Sequence, residues 1–476
     1  YKTLTQEDIY VCKIIYEMFK EKYTLVGKQW YYYNGIIWER NEECVPTGLL
    51  LGVGEVNGFI KELYNRHFEE DNLSDAQIKK LFSVTQNLCK KLSKNNEDIS
   101  FVNACKKYFS NPKLKFDEKK HLLAFENGVY DLNEKVFRVG RADDYLCKQL
   151  TFSYNETCDN VKTEIIRRFL GDILPDKVVR DYLMVNVASC LLGGVNKEQQ
   201  FYILTGRKGA NGKSVFGRLV NSTFGPYYSS PPPTLITNPR EKSNETNEGL
   251  LSLLNSRIAI ISEPGKNDKI KSDTLKKFTG GDPISVRGLY GKTQSINMDL
   301  KIFMLCNSIP ELDECENAEE RRLCIIDFPN VFVSNPKLRN ERLIDTDIFK
   351  RLNECRNEFF HLLLEYLEKY LSLTSGGKEI TMPAKIANEI DKYIDEGKVI
   401  NNADNFINTF IEVSNGRVQC KSVTDAYLAW CERNGRANMG VRVFEDLVLK
   451  HFKIEGKKKV KGQFVFIGIA LKTNLF

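Results

Sequence analysis

Apolar and polar positions fall into two rhythms along this chain, and the changes of rhythm mark its elements. Ile9, Cys12, Ile15 and Phe19 recur at helical spacing behind Thr5 and Asp8, which predict a capping-box start. Residues 30–38 are aromatic and predict two short strands turning at Asn34-Gly35. Their rings suit a core, and base stacking is the alternative use. A helix is expected over 73–93, a second strand and turn over 125–132, and helices over 161–192. Four apolar runs, 201–204, 257–261, 301–305 and 323–326, then read as buried strands. Between the first two, the Ser-, Pro- and Asn-rich segment 226–247 reads as an exposed loop. Residues 347–371 predict one long amphipathic helix carrying Leu352, Cys355, Phe359, Leu363 and Leu367, with a linker at 374–377. Further on, Ser422 is expected to cap a helix through Trp430, and a second helix covers 441–449. Segments 452–454 and 464–467 then flank a lysine-rich hairpin tip, so two helices and a hairpin outline a winged helix.

Composition narrows the class without naming it. The 476 residues suffice for about three domains, and 42% hydrophobic with 28% charged content fits a globular chain. No apolar run approaches the roughly 20 residues that span a bilayer, so no membrane is expected. Thirteen cysteines are scattered without a C-x-x-C pair, and the four histidines lie apart from them. That argues against zinc and disulfides and for a reducing compartment. A net charge of +6 is weak evidence for a polyanionic partner. The chain opens on Tyr1 rather than Met, which suggests a piece of a longer polypeptide.

The chemistry concentrates at the ends of the four apolar runs. After 201–204 come Gly206, Gly209, Ala210, Asn211, Gly212, Lys213, Ser214 and Val215, a strand, glycine-rich turn and helix start that fit a phosphate-binding loop. Lys213 would reach the β- and γ-phosphates of ATP, and the Ser214 hydroxyl would ligate Mg²⁺. Arg207 stands where the first glycine of the general pattern belongs, so the loop is one residue longer. Glu263 follows the second run and suits holding Mg²⁺ or polarising the attacking water; Pro264 follows it, so a second acid would have to come from elsewhere. Asn307 ends the third run, where an amide can orient that water and sense the γ-phosphate. Arg321 and Arg322 precede the fourth run; either can complete a neighbouring subunit's site as an arginine finger, and Arg322 is favoured. Arg287, Tyr290 and Lys292 cluster at a hairpin tip that suits a nucleic-acid backbone, although a solvated turn has the same composition. Lys457, Lys458 and Lys459 pose the same choice.

These blocks in this order (Gly-Ala-Asn-Gly-Lys-Ser, Ile-Ile-Ser-Glu, Lys-Phe-Thr-Gly-Gly-Asp, Leu-Cys-Asn-Ser-Ile-Pro and Arg-Arg) resemble superfamily 3 helicases. More narrowly, they resemble the primase–helicases of large DNA viruses of the poxvirus and African swine fever virus type, and those of phages and plasmids. The resemblance implies an α/β fold: an AAA+-like ATPase core at 196–335, an N-terminal α+β helicase-associated domain at 1–160 and a helical collar at 161–195. A helical linker at 336–378 and a winged-helix-like domain at 379–476 complete it. It also implies a homo-hexameric ring that binds ATP and Mg²⁺ and moves on single-stranded and forked DNA, with Lys292 and then Arg287 at the pore. A primase domain ahead of Tyr1, other replication proteins as partners and a host-cytoplasmic replication site belong to the same expectation. A ring that uses ATP only to assemble on DNA is the alternative. A small-molecule kinase is disfavoured, since it explains neither the arginine pair nor the hairpin.

Overall fold

The computed structural model describes the chain apart from residues 1–5, 44–45, 47–48, 50–102 except for scattered positions, 194–195, 207–208, 238–247, 266–267, 282, 288–292, 299, 314–319 and 473–476. It divides into two units. The first comprises 1–159 with 221–227 and 354–360, and the second comprises the rest.

In the first unit, helix α1 (Gln6–Phe19) buries Cys12, Ile15 and Phe19 against a three-stranded antiparallel sheet. Its strands are β1 (Tyr23–Val26), β2 (Gln29–Tyr33) and β3 (Trp38–Asn41). The aromatic hairpin is there, but it turns over four residues rather than two. The Asn34 side-chain oxygen accepts from the N–H groups of Ile36 and Ile37 at 2.9 Å each, which closes the wider turn. Trp30 and Trp38 are 1% and 2% exposed, so both are core residues and neither is open to a base. Strands β4 (Leu122–Phe125), β5 (Gly128–Asp131) and β6 (Val136–Arg138) form a second antiparallel sheet. The helix expected at 73–93 falls largely outside the described residues.

The second unit is built on a five-stranded parallel sheet. Helices α2 (Asn160–Ile173) and α3 (Lys177–Ser189) lead into β7 (Phe201–Thr205), which is followed by α4 (Lys213–Phe224). Strands β8 (Tyr228–Ser229), β9 (Ile258–Ile261), β12 (Lys301–Leu305) and β13 (Leu323–Asp327) complete the sheet in the order β13-β7-β12-β9-β8. The middle positions of the inner strands are apolar because both faces are covered. Part of the expected loop at 226–247 is therefore ordered: Tyr228 and Ser229 pair with Ile258 and Ala259 as the sheet edge, and Ile236 is buried. Before β12, helix α5 (Ser272–Gly280) ends at Gly281, whose φ of 76° is the left-handed conformation of a helix stop. Strands β10 (Pro283–Arg287) and β11 (Thr293–Asn297) then form the expected hairpin.

Lys301 opens β12 yet is fully buried. Its Nζ lies 2.9 Å from the Glu198 carboxylate and 2.7 Å from Asn186 Oδ1, which also accepts from the Tyr202 hydroxyl at 2.7 Å. Removing one partner of such a pair strands the other charge in the core. Lys301→Ala is expected to lower stability by about 3–5 kcal/mol, read as a shift of the denaturant midpoint. Replacing Lys301 and Glu198 together by apolar residues should recover most of it; an unchanged midpoint for the single variant would show that the pair is not buried.

After the sheet, strands β14 (Val331–Val333) and β15 (Glu341–Leu343) pair in parallel. The long helix expected over 347–371 is two pieces, interrupted at Glu354 and Cys355. The second piece, α6 (Arg356–Leu373), keeps Phe359, Leu363 and Leu367 buried. Helix α7 (Ala384–Phe410) follows, then β16 (Ile411–Gln419), α8 (Cys420–Arg433), α9 (Val441–His451), β17 (Lys458–Val460) and β18 (Gln463–Leu471). Three corrections apply here. Gln419, not Ser422, stands at the N-cap of α8. Strand β16 joins the hairpin in a three-stranded sheet, order β16-β18-β17. The lysine run is not at a tip: Lys458 and Lys459 lie within β17, and the turn is Lys461-Gly462. Lys457 is held 2.6 Å from Glu445, an ion pair that occupies its charge.

Candidate functional site

Parallel pairing brings the predicted residues to one edge of the sheet. Leu305 of β12 is opposite Leu204 of β7, and Met304 is opposite Ile261 of β9, so three strands end together. The glycine-rich loop, Glu263 and Asn307 leave from those ends. In an open α/β sheet, ligands bind at this carboxyl edge where the strand order switches. Here the chain passes from β7 to the far edge strand β8 and only later fills the gap with β9 and β12.

The loop turns back on itself to deliver Lys213 to the first turn of α4. Gly206 leaves room for it, since a Cβ there would meet Asn211 Oδ1 at 2.8 Å and Lys213 Nζ at 2.9 Å. Gly212 combines a φ of 81° with a close approach, since its Cβ would come within 2.5 Å of Ile173. Asn211 is 3% exposed, and its Nδ2 donates to the carbonyls of Phe328 at 3.1 Å and Asn330 at 2.8 Å. It thereby ties the loop to the chain leaving β13. Ser214 is exposed in the first turn of α4, where the helix N-terminus favours an anion. Arg207 lies outside the described residues.

One amide joins the cation to the acid. Lys213 Nζ lies 3.2 Å from Asn307 Oδ1, 3.2 Å from Asn211 Oδ1 and 3.4 Å from the Gly206 carbonyl. On its other side, Asn307 donates from Nδ2 to Glu263 Oε2 and from its backbone N–H to Oε1, both at 2.8 Å, and Ser308 N–H adds a contact at 3.4 Å. A lysine donor on one side and a carboxylate on the other fix the orientation of the amide. Burial lowers the Lys213 pKa, opposed by the negative groups nearby, Glu263 and Asp327 among them. An incoming triphosphate would supply the charge that favours the ammonium.

Asp327 is the carboxylate that the sequence did not single out. It ends β13 opposite Thr205 and lines a cavity of about 450 Å³ with Thr205, Asn307 and Tyr393. The signal was available: an acid closes an apolar strand, as Glu263 nearly does. Arg321 and Arg322 are at the other end of the same strand. Arg322 offers its carbonyl to Phe201 N–H at 2.6 Å, at the start of β7, and a five-residue strand separates the pair from the loop by roughly 15 Å. Arg321 is exposed and Arg322 half-buried. The structure thus gathers Lys213, Asn307, Glu263 and Asp327 and leaves both arginines at the opposite end of the sheet. Tyr290 and Lys292 lie outside the described residues; Arg287 is the last residue of β10, opposite Thr293.

Known proteins resemble this chain over much of its length. A family described as D5 N terminal like matches residues 12–175, and a family of unknown function (DUF5906) matches 204–322. "Putative helicase L207/L206" of Acanthamoeba polyphaga mimivirus is 31% identical over 383 residues, covering 76% of this chain and 39% of that protein. "Putative helicase 184R" of Invertebrate iridescent virus 6 is 27% identical over 414 residues, 79% and 42% of the two chains. "Primase D5" of Fowlpox virus is 27% identical over 282 residues, 54% and 34%. The chain thus spans about two fifths of the length of the first two of these relatives. Among solved structures, the apo C-terminal region of NrS-1 aligns with a TM-score of 0.36 at 14% identity, covering 68% of this chain and 81% of that one.

Proposed function

We propose that this chain, a relative of the primase–helicases of large DNA viruses, is the ATP-hydrolysing motor of a viral replication helicase, with an AAA+-like core of superfamily 3 type. The observation that carries the reading is the Lys213–Asn307–Glu263 chain of contacts at the ends of three adjacent strands. Lys213 and the loop N–H groups bind the β- and γ-phosphates. Glu263 takes the proton of the attacking water, which Asn307 orients. Mg²⁺ would be held by Ser214 and Glu263, with Asp327 on the same edge, and would neutralise charge on the phosphates. The donor set fits, since Mg²⁺ arriving with a nucleotide needs only one or two carboxylates. No helix of the described residues is long and apolar enough to cross a membrane.

In this account subunits form a ring, and each arginine pair serves the next subunit's nucleotide. Arg287, Tyr290 and Lys292 contact single-stranded DNA. Lys458 and Lys459 on β17 offer a second phosphate contact, without Lys457. Lys213→Ala is expected to lower DNA-stimulated ATP hydrolysis by about 10²–10³-fold, with the circular-dichroism spectrum and melting temperature retained. Hydrolysis by Lys213→Ala at the wild-type rate would remove the site assignment.

A further inference from the structure

Helix α7 runs unbroken for 27 residues and belongs to two packed bodies at once. It packs against β13, and Ile386, Ile390 and Ile394, spaced four apart on one face, are all buried. Its last turns place Ala403, Phe406 and Ile407 in the core formed with Tyr427 of α8, Phe444 of α9 and Phe466 of β18. A polar face of the same helix turns to the sheet. Glu389, Tyr393 and Glu396 line the cavity that Asn307 and Asp327 line from the other side. Tyr393 does more than line it. Its hydroxyl donates to the Pro310 carbonyl at 2.6 Å, a short hydrogen bond between residues 83 apart in sequence.

Pro310 stands three residues beyond Asn307, in a turn that is fixed at both ends. At one end, Asn307 is bound to Glu263 through its backbone N–H and its side chain. At the other, the Glu311 carbonyl accepts from Ile270 N–H at 2.8 Å, and Asp313 N–H donates to the Ile270 carbonyl at 3.0 Å. The Asp313 carboxylate also accepts from Ser272 N–H at 2.8 Å, at the start of α5. Pro310 lies between these anchors. Proline has no N–H, so its carbonyl is its one backbone polar group, and Tyr393 takes it. An amide that orients an attacking water must itself be held to within about 0.5 Å. We propose that Tyr393 is a positioning residue for hydrolysis: by clasping Pro310 it fixes the turn that carries Asn307. A side chain from the helix of the C-terminal core thereby takes part in the chemistry at the sheet. The proposal rests on the reading of Asn307 as the residue that orients water and adds the group that holds it in place.

Tyr393→Phe keeps the ring and removes only the hydroxyl, so its melting temperature is expected to match that of the wild type. Its kcat for ATP hydrolysis is expected to fall about 5–10-fold, roughly the worth of one hydrogen bond, with KM for ATP unchanged. Because Tyr393 acts through Asn307, the same change in an Asn307→Ala background is expected to bring no further loss in single-turnover hydrolysis. A hydrogen bond that merely supports the fold would bring the same loss in both backgrounds. Unchanged kcat in Tyr393→Phe overturns the proposal, as does an equal loss with and without Asn307. A raised KM at unchanged kcat also overturns it, since Tyr393 would then be a binding residue. If the wild-type chain hydrolyses ATP and Tyr393→Phe matches it, the site reading stands and this proposal alone falls. A wild-type chain that hydrolyses no ATP overturns both together.

Discussion

Arg322→Ala is expected to lower ATP hydrolysis by about 10³–10⁵-fold, and mixing it with Lys213→Ala subunits is expected to restore part of the loss. The reason lies in the sheet. Arg322 precedes β13 and meets the start of β7, whereas the glycine-rich loop leaves the end of β7. No arginine of this pair can serve the nucleotide of its own subunit across the length of a strand. In a mixed assembly, a Lys213→Ala subunit still presents its arginine to an Arg322→Ala neighbour whose loop is intact. A mixture no more active than the sum of its parts would exclude the shared site. Arg321→Ala belongs in the same experiment, because Arg321 is the more exposed of the two. The larger loss identifies the finger.

Glu263→Gln is expected to lower hydrolysis by about 10²–10⁴-fold while ATP still binds. The carboxylate accepts two hydrogen bonds from Asn307, one from the backbone and one from the side chain. Glutamine can replace one acceptor, but its own NH₂ then faces the Asn307 NH₂, so it loses both the base and the clasp. Because Asn307 and Glu263 act as a unit, Asn307→Ala in the Glu263→Gln background should cost far less than Asn307→Ala alone. Single-turnover hydrolysis beside ATP affinity provides the readout. Independent, additive losses would mean that the two residues do not share a task, and ATP binding weakened as far as hydrolysis would leave the acid only its part in holding Mg²⁺.

The parts of this site that were legible in the sequence share a local signature. Each of Lys213, Glu263 and Asn307 follows an apolar run long enough for one buried strand, and chemistry at a strand end needs only a few consecutive residues to announce itself. What was not legible depends on partners far along the chain. Asp327 closes a strand whose arginine pair drew attention to its other end. Asn211 fits the loop pattern, but its bonds to the carbonyls of Phe328 and Asn330 exist only once β13 lies beside β7. Lys301 reads as the polar start of a strand, and its burial requires Glu198 and Asn186. Tyr228 and Ser229 are too few to show a rhythm, and their neighbours are turn-forming, so an edge strand passed for a loop. The lysine run at 457–459 looked like a tip because glycines flank it, whereas the pairing of β17 with β18 moves the turn to Lys461-Gly462.

Strand separation on a forked DNA duplex tests the motor directly. With ATP and Mg²⁺, the wild-type chain is expected to release the displaced strand, and Lys213→Ala is expected to leave the duplex intact. DNA binding and ATP hydrolysis by the wild-type chain with the duplex still paired would contradict the account and point to a ring that spends ATP on assembly alone.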